Sequence, residues 1–269
     1  MSFSDLIKYV EKYLWKRNWH YTLNRRLHSR GWDLRQFPHN HQLFAFMPEL
    51  NNLLRQTDSE DLTDLQMLLQ GFFILARKKG NIYSQLGQEL LVAEWTKSCI
   101  NPFYLEIGAY DPYVYSNTAS LRESLGWKGV SLDPSGSALS AFEDAGLSNN
   151  FMNVAVGVNS GTAYFSEQGA LSSTSTEQTP KSTTVKMIGI KELVSALPPI
   201  TYLSLDIEGG ELEILREYPW NLSKPLVITV EHNHLGDIKS SMFEVLTKNG
   251  YKRILNSLSN FESWFVLPK

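Results

Sequence analysis

The 269-residue chain predicts an α/β fold: a mostly parallel sheet with an antiparallel C-terminal strand, preceded by an α-helical N-terminal domain. From residue 81 onward, short apolar runs alternate with helix-like segments. This order builds strand–helix–strand crossovers and hence parallel pairing. The runs are nearly continuous in apolar residues, as strands buried on both faces are. The last two runs are separated only by a short polar loop, which fits a hairpin and not a crossover. The domain boundary is expected at 80/81, giving a helical unit over 1–80 and an α/β unit over 81–269.

Residues 3–30 read as one long helix or two, with Leu6, Ile7, Val10, Tyr13, Leu14 and Trp15 at helical spacing and Ser4 as cap. Residues 31–48 are rich in Pro, His and aromatics and read as irregular. Helices are expected at about 49–56 and 60–79, the second stopped by Gly80. Strands are expected at Phe103–Ile107, Gly129–Leu132, Phe151–Val156, Tyr202–Ile207 and Leu226–Val230. Helices fall between them at about 85–98, 117–126, 137–145, 189–196, 209–217 and 237–249, and the hairpin strands at about 251–256 and 261–267. Segment 157–185 is rich in Gly, Ser and Thr and reads as a mobile insertion with one strand at Thr162–Ser166.

Apolar residues make up 42% of the chain and charged residues 20%, enough for a sizeable core and inconsistent with low-complexity disorder. No run reaches about 18 apolar residues, so no membrane-spanning helix is expected. The N-terminus lacks an apolar h-region, so no secretory signal is expected. The single cysteine, Cys99, excludes an internal disulfide and a Cys-based metal cluster, and the reducing cytoplasm is the expected location. Residues 1–80 carry 12 Lys+Arg against 8 Asp+Glu, whereas residues 81–269 carry 13 against 20. The acidic second part lacks the cationic stripe that displaces counterions, so no nucleic-acid partner is expected. Trp15, Trp19, Tyr21 and Trp32 are mixed with basic residues. Three readings stay open for them: a helical cap with buried rings (a homodimer contact is one version), a peripheral membrane patch, or a sugar-stacking surface. His39 and His41 lack a nearby third ligand, so no metal is expected there.

In an open α/β sheet, ligands bind beyond the carboxyl ends of the strands. The first strand runs into Glu106, Gly108, Ala109 and Asp111; the second into Asp133 and Pro134; the third contains Asn153 and Val154. The fourth runs into Asp206, Glu208 and Glu211, and the fifth into Glu231, His232 and Asn233. Gly108 lets a ligand lie against the turn. Asp133, about 25 residues on, suits ribose hydroxyls, whose protons a carboxylate accepts. Neither a G-x-G-x-x-G fingerprint nor a G-x-x-x-x-G-K-[ST] loop is present, so the expected ligand carries a nucleoside but no essential pyrophosphate. S-adenosylmethionine meets that description.

The run YSQLGQE at Tyr83–Glu89, then YLEIGAYDP followed by SNT at Ser116–Thr118, then GWKGVSLDPS, YLSLDIEGGELEIL and VEHN, resembles the FkbM-type methyltransferases in order and spacing over residues 81–269. The family usually has Gly at the position of Pro112 and often Glu at that of Asp133. Residues 1–80 lie outside the resemblance. It implies a Rossmann-like class I methyltransferase fold and S-adenosylmethionine-dependent O-methylation of a sugar, a glycan precursor or another hydroxylated metabolite, as in polysaccharide biosynthesis. The strand ends and the resemblance together nominate Ser84, Gln85, Glu106, Gly108, Ala109, Asp111, Asn117, Asp133, Pro134, Asn153, Val154 and Asp206 for the cofactor. Ser84 and Gln88 have a rival reading as helix-start residues, and Asn117 as the cap of the next helix.

For catalysis the candidates are Asp206, Glu208, Glu231 and His232. His232 is the favoured general base, because its ordinary pKa lies near working pH. Asp206 and Glu231 could hold a hard cation such as Mg²⁺. Glu211 and Glu213 fit helix-start acids, so Asp206→Ala is expected to abolish transfer and Glu211→Ala to keep much of it. Two rival functions remain: an NAD-linked oxidoreductase on the same sheet, and a non-catalytic scaffold that binds a membrane or partner through its N-terminal helices.

Overall fold

The computed structural model describes residues 62–78, 80–166, 173–175, 180, 182–232, 236–256 and 261–268, with side chains left out at 62–66 and 173–175. The readings made on residues 3–56, including the Trp15–Trp32 group and the His39/His41 pair, and those on Asn233 and His234, lie outside the described residues.

Helix α1 spans Leu62–Arg77 and α2 Gln88–Trp95. Strand β1 (Phe103–Ile107), α3 (Ala119–Leu125), β2 (Lys128–Leu132), α4 (Gly136–Asp144) and β3 (Phe151–Met152) follow. Next come β4 (Ala155–Gly157), β5 (Gly161–Ser166), β6 (Ser173–Ser175), β7 (Thr183–Gly189) and α5 (Ile190–Ala196). The chain continues through β8 (Tyr202–Leu205), α6 (Glu211–Glu217), β9 (Val227–Glu231), α7 (Gly236–Lys248), β10 (Lys252–Ile254) and β11 (Glu262–Val266).

Seven strands form the main sheet in the order β10–β11–β9–β8–β1–β2–β3. β3, β2, β1, β8 and β9 pair in parallel, and β11 runs antiparallel to both β9 and β10. The predicted fold class and closing hairpin are both present. The near-continuous apolar runs reflect burial of both sheet faces, because successive side chains point to opposite sides. Leu105, Ile107, Leu203, Leu205, Ile228, Val230 and Phe265 join one cluster with α5, α6 and α7. Tyr104, Tyr202, Val227, Trp264 and Val266 join the other, with Leu68 and Leu75 of α1 and Leu90 and Leu91 of α2. Helix α1 belongs to the segment expected to form a separate domain, yet it packs into the sheet's own core.

Two expectations are corrected. The single strand expected at Phe151–Val156 is two. β3 closes the main sheet, and after a turn in which Met152 O accepts from Val154 N at 2.9 Å, β4 leaves for a second sheet. The segment 157–185, expected as an insertion with one strand, also carries β6 and the start of β7, and with β4 they form that second sheet, ordered β4–β7–β5–β6. β5 buries only Ala163 and Phe165, and β7 is exposed along much of its length. Half-exposed strands can carry the Ser and Thr content that reads as loop. Residues 167–172, 176–179 and 181 lie outside the described residues.

Candidate active site

The strand register lines up the site. Leu132, Ile107, Leu205 and Val230 stand side by side across β2, β1, β8 and β9. One residue further along lie Asp133, Gly108, Asp206 and Glu231. Glu231 pairs directly with Glu262, because the start of antiparallel β11 reaches the same edge as the ends of the parallel strands. These residues border a cavity of about 300 Å³, at the small end of the range for ligand sites. Leu132, Val154, Ala155, Val156 and Phe165 form an apolar part beside Asp133 and Pro134. Gln85, Gln88, Asn117, Asp206, Glu208, Glu231 and Glu262 form a polar part. Among the described lining residues there is no Lys, Arg or His.

Gly108, which lines the cavity, is required by a close approach of backbone. Its φ is +87°, and a Cβ there would stand 1.4 Å from the carbonyl oxygen of Asp206. This contact ties the β1 turn to the β8 turn. Tyr110, Tyr115 and Glu208 also line the cavity and hold positive φ values of 43°, 61° and 57°. Such backbones cost about 1–3 kcal/mol each and cluster at functional sites.

Asp133 accepts from Ser135 N (2.8 Å) and Ser135 Oγ (2.6 Å) through one oxygen and from Tyr110 N (3.2 Å) through the other. It lines the cavity with one lone pair of Oδ2 left over for a hydroxyl proton. Glu106 also borders the cavity, but its oxygens are engaged. It accepts from Thr118 Oγ1 (2.6 Å), Ser131 Oγ (2.7 Å) and Asn117 N (3.0 Å). Burial pushes its carboxyl up despite these donors, and its role is to brace β1, β2 and the start of α3.

Four nominated residues lie outside the lining. Ser84 donates its hydroxyl to Glu89 and accepts from Gly87 N at 2.9 Å. The N-cap of α2 is Gly87, at φ +79°, and not Ser84. Asp111 Oδ1 accepts from Tyr113 N and Val114 N, both at 2.8 Å, an Asx turn that shapes the loop. Asn153 is exposed and donates Nδ2 to the carbonyls of Asp133 (3.0 Å) and Ser135 (2.9 Å). His232 is 2% exposed, and its Nε2 lies 3.0 Å from the carbonyl of Glu262. A carbonyl only accepts, so Nε2 carries the proton, and this buried ring ties the end of β9 to β11. Asn117 does line the cavity, but Thr118 is the N-cap of α3, and Ser116 Oγ accepts from Ala119 N at 3.1 Å.

Ligand atoms of Asp206, Glu208 and Glu231 all lie within 4.8 Å of one another. Burial, a hydrogen bond to Glu231 and the charges of Glu231, Glu262 and Glu208 push the Asp206 carboxyl well above its usual range. Glu211 does not merely favour the helix dipole. Its Oε1 accepts from Ile207 N (3.0 Å) and Gly209 N (2.9 Å), closing the turn that carries Glu208.

Sequence reasoning missed Glu262. This residue is 3% exposed, lines the cavity and accepts through Oε2 from Gln88 Nε2 (2.7 Å) and Trp264 Nε1 (2.8 Å). Burial pushes its carboxyl up to about 7. The available signal is a charged residue that opens the final strand just ahead of Trp264, Phe265 and Val266.

The strand order, with antiparallel β11 between β9 and β10, is that of the Rossmann-like class I methyltransferase fold. Residues 106–253 match the methyltransferase FkbM domain, and the chain belongs to that family. Its fold is similar to that of the O-methyltransferase from Bacillus cereus in complex with SAH (15% identity, 84% of this chain and 97% of that one, TM-score 0.41). It is also similar to precorrin-6y C5,15-methyltransferase from Geobacter metallireducens (14%, 61% and 72%, 0.36) and to the METTL16 methyltransferase domain (13%, 74% and 76%, 0.38). No curated protein matches the chain. The donor set fits the cofactor: a carboxylate for ribose, an apolar wall for the base, and amides and acids for the aminoacyl end. Among the described residues no helix is long and apolar enough to cross a membrane.

Proposed function

We propose that the protein methylates a hydroxyl of a sugar, glycan precursor or similar polyol, using S-adenosylmethionine. The reading rests chiefly on the Asp206–Glu208–Glu231 group at the edge of β8 and β9, a set of carboxylates in a cavity whose described lining holds no cation. The cofactor supplies an activated methyl that needs an aligned nucleophile. Asp133 grips the ribose, while Gln85, Gln88 and Asn117 surround the aminoacyl end. Asp206, whose raised pKa makes its deprotonated form a stronger base than an ordinary aspartate, takes the hydroxyl proton as the oxygen bonds the methyl and the methyl–sulfur bond breaks, leaving S-adenosylhomocysteine. Tyr110 and Tyr115, 36% and 54% exposed, offer ring faces at the rim to the C–H side of a sugar.

A second reading places a hard divalent cation such as Mg²⁺ on Asp206 and Glu231, with Glu208 as third ligand, and is favoured by their spacing. We further propose a cytoplasmic location, no nucleic-acid partner, and a homodimer or peripheral membrane contact through residues 1–80.

Methyl transfer from labelled S-adenosylmethionine to a panel of glycosides tests the reading. Wild type transfers label, and Asp206→Ala binds S-adenosylhomocysteine but does not. Equal transfer by Asp206→Ala refutes the assigned base. Loss of transfer on chelation, restored by Mg²⁺, selects the second reading. A thermal shift with NADH and none with S-adenosylhomocysteine selects the oxidoreductase rival. Absence of both, with liposome binding, selects the scaffold.

A further inference from the structure

The cavity takes residues from both sides of the matched domain. Gln85 and Gln88 precede residue 106, and Phe261 and Glu262 follow residue 253. We propose that the Glu262–Gln88 hydrogen bond is a clasp that positions the cofactor pocket, with Glu262 acting through Gln88 on the turn that carries Gln85. This rests on the cofactor reading above.

Glu262 and Gln88 are 174 positions apart, both are buried, and they meet at 2.7 Å. Strand alternation puts Glu262 on the face of Trp264 and Val266, the face that α2 covers. The amide orientation of Gln88 is set from both ends. The Glu262 carboxylate requires a donor, which is Nε2, and the N–H of Leu86 requires an acceptor, which is Gln88 Oε1 at 3.1 Å. The Gln85–Gly87 turn is thereby held from its C-terminal side. From its N-terminal side Glu89 holds it, accepting from Tyr83 N (2.7 Å) and Ser84 N (3.1 Å). The Asn117 side chain, which also lines the cavity, donates Nδ2 to Ser204 Oγ at 2.9 Å. The cofactor pocket therefore requires Tyr83–Glu89 and the start of β11 in addition to the matched domain.

Calorimetric titration with S-adenosylhomocysteine tests the clasp without an acceptor. Glu262→Leu and Gln88→Met each weaken binding about tenfold, and the double variant is no worse than either, because both remove the same interaction. Glu262→Gln retains an oxygen for Gln88 Nε2 and binds within about threefold of wild type. A purely structural role does not produce rescue by the conservative variant together with non-additive losses. Wild-type affinity in both single variants overturns the proposal, as do losses that multiply in the double variant. If Glu262→Leu does not fold, Gln88→Met and Glu262→Gln decide the matter by the same criteria. If wild type itself binds no S-adenosylhomocysteine, the cofactor reading fails, which is a separate result.

Discussion

Glu262 makes a quantitative prediction about stability. Its carboxyl is pushed from an ordinary 4.5 to about 7, with burial as the largest cause. The folded protein therefore holds this proton more tightly than the unfolded chain does. The contribution is fully present below about pH 4.5 and is lost as pH rises through about 7. A shift of roughly 2.5 units at about 1.4 kcal/mol per unit amounts to about 3 kcal/mol. Glu262→Gln abolishes the titration yet keeps an oxygen for Gln88 Nε2 and Trp264 Nε1. The variant is expected to be about 3 kcal/mol more stable than wild type at pH 8, relative to the gap between them at pH 4.5. Urea denaturation followed by tryptophan fluorescence at several pH values reads the difference. Asp206, Glu89 and Glu106 are shifted in the same direction, so both proteins lose stability as pH rises and only their difference reports on position 262. A gap that stays constant with pH, or that favours wild type more at pH 8 than at pH 5, refutes the reasoning.

Three further outcomes are expected. Gly108→Ala forces a Cβ against the Asp206 carbonyl at a left-handed backbone; a loss of at least about 3 kcal/mol is expected by thermal or urea unfolding, and a variant as stable as wild type contradicts the geometry. Glu211→Ala frees two backbone N–H groups in the turn that carries Glu208, so it lowers transfer about tenfold where the dipole reading expected retention; Glu211→Gln keeps an acceptor and most of the activity. Because the Asp206 carboxyl is raised well above its usual range, kcat/KM falls on the acid side at a pH well above 4, and a profile flat down to pH 4 excludes Asp206 as the base.

The strand ends at Asp133, Asp206 and Glu231 were legible in the sequence because each closes an apolar run, and sheet topology sends all such ends to one edge. The same logic missed Glu262. In an antiparallel strand the residue at that edge opens the run instead of closing it. His232 lies one residue beyond Glu231, so period-two alternation sets its ring against the Glu262 carbonyl and outside the cavity lining, which the sequence pattern alone did not separate from its neighbour. The glycine at 108 was recognised as a close approach, but sequence alone could not show that the approaching atom belongs to Asp206. The second sheet escaped because its strands are half-exposed and Ser/Thr-rich, leaving few apolar residues to mark them.

A crystal structure of the protein with S-adenosylhomocysteine bound tests the central claim most directly. The ribose hydroxyls are expected on Asp133, the adenine against Leu132 and Val154, and the homocysteine end beside Gln85, Gln88 and Asn117, with its sulfur facing Asp206. A nucleoside bound anywhere else, or a ribose making no contact with Asp133, contradicts the account.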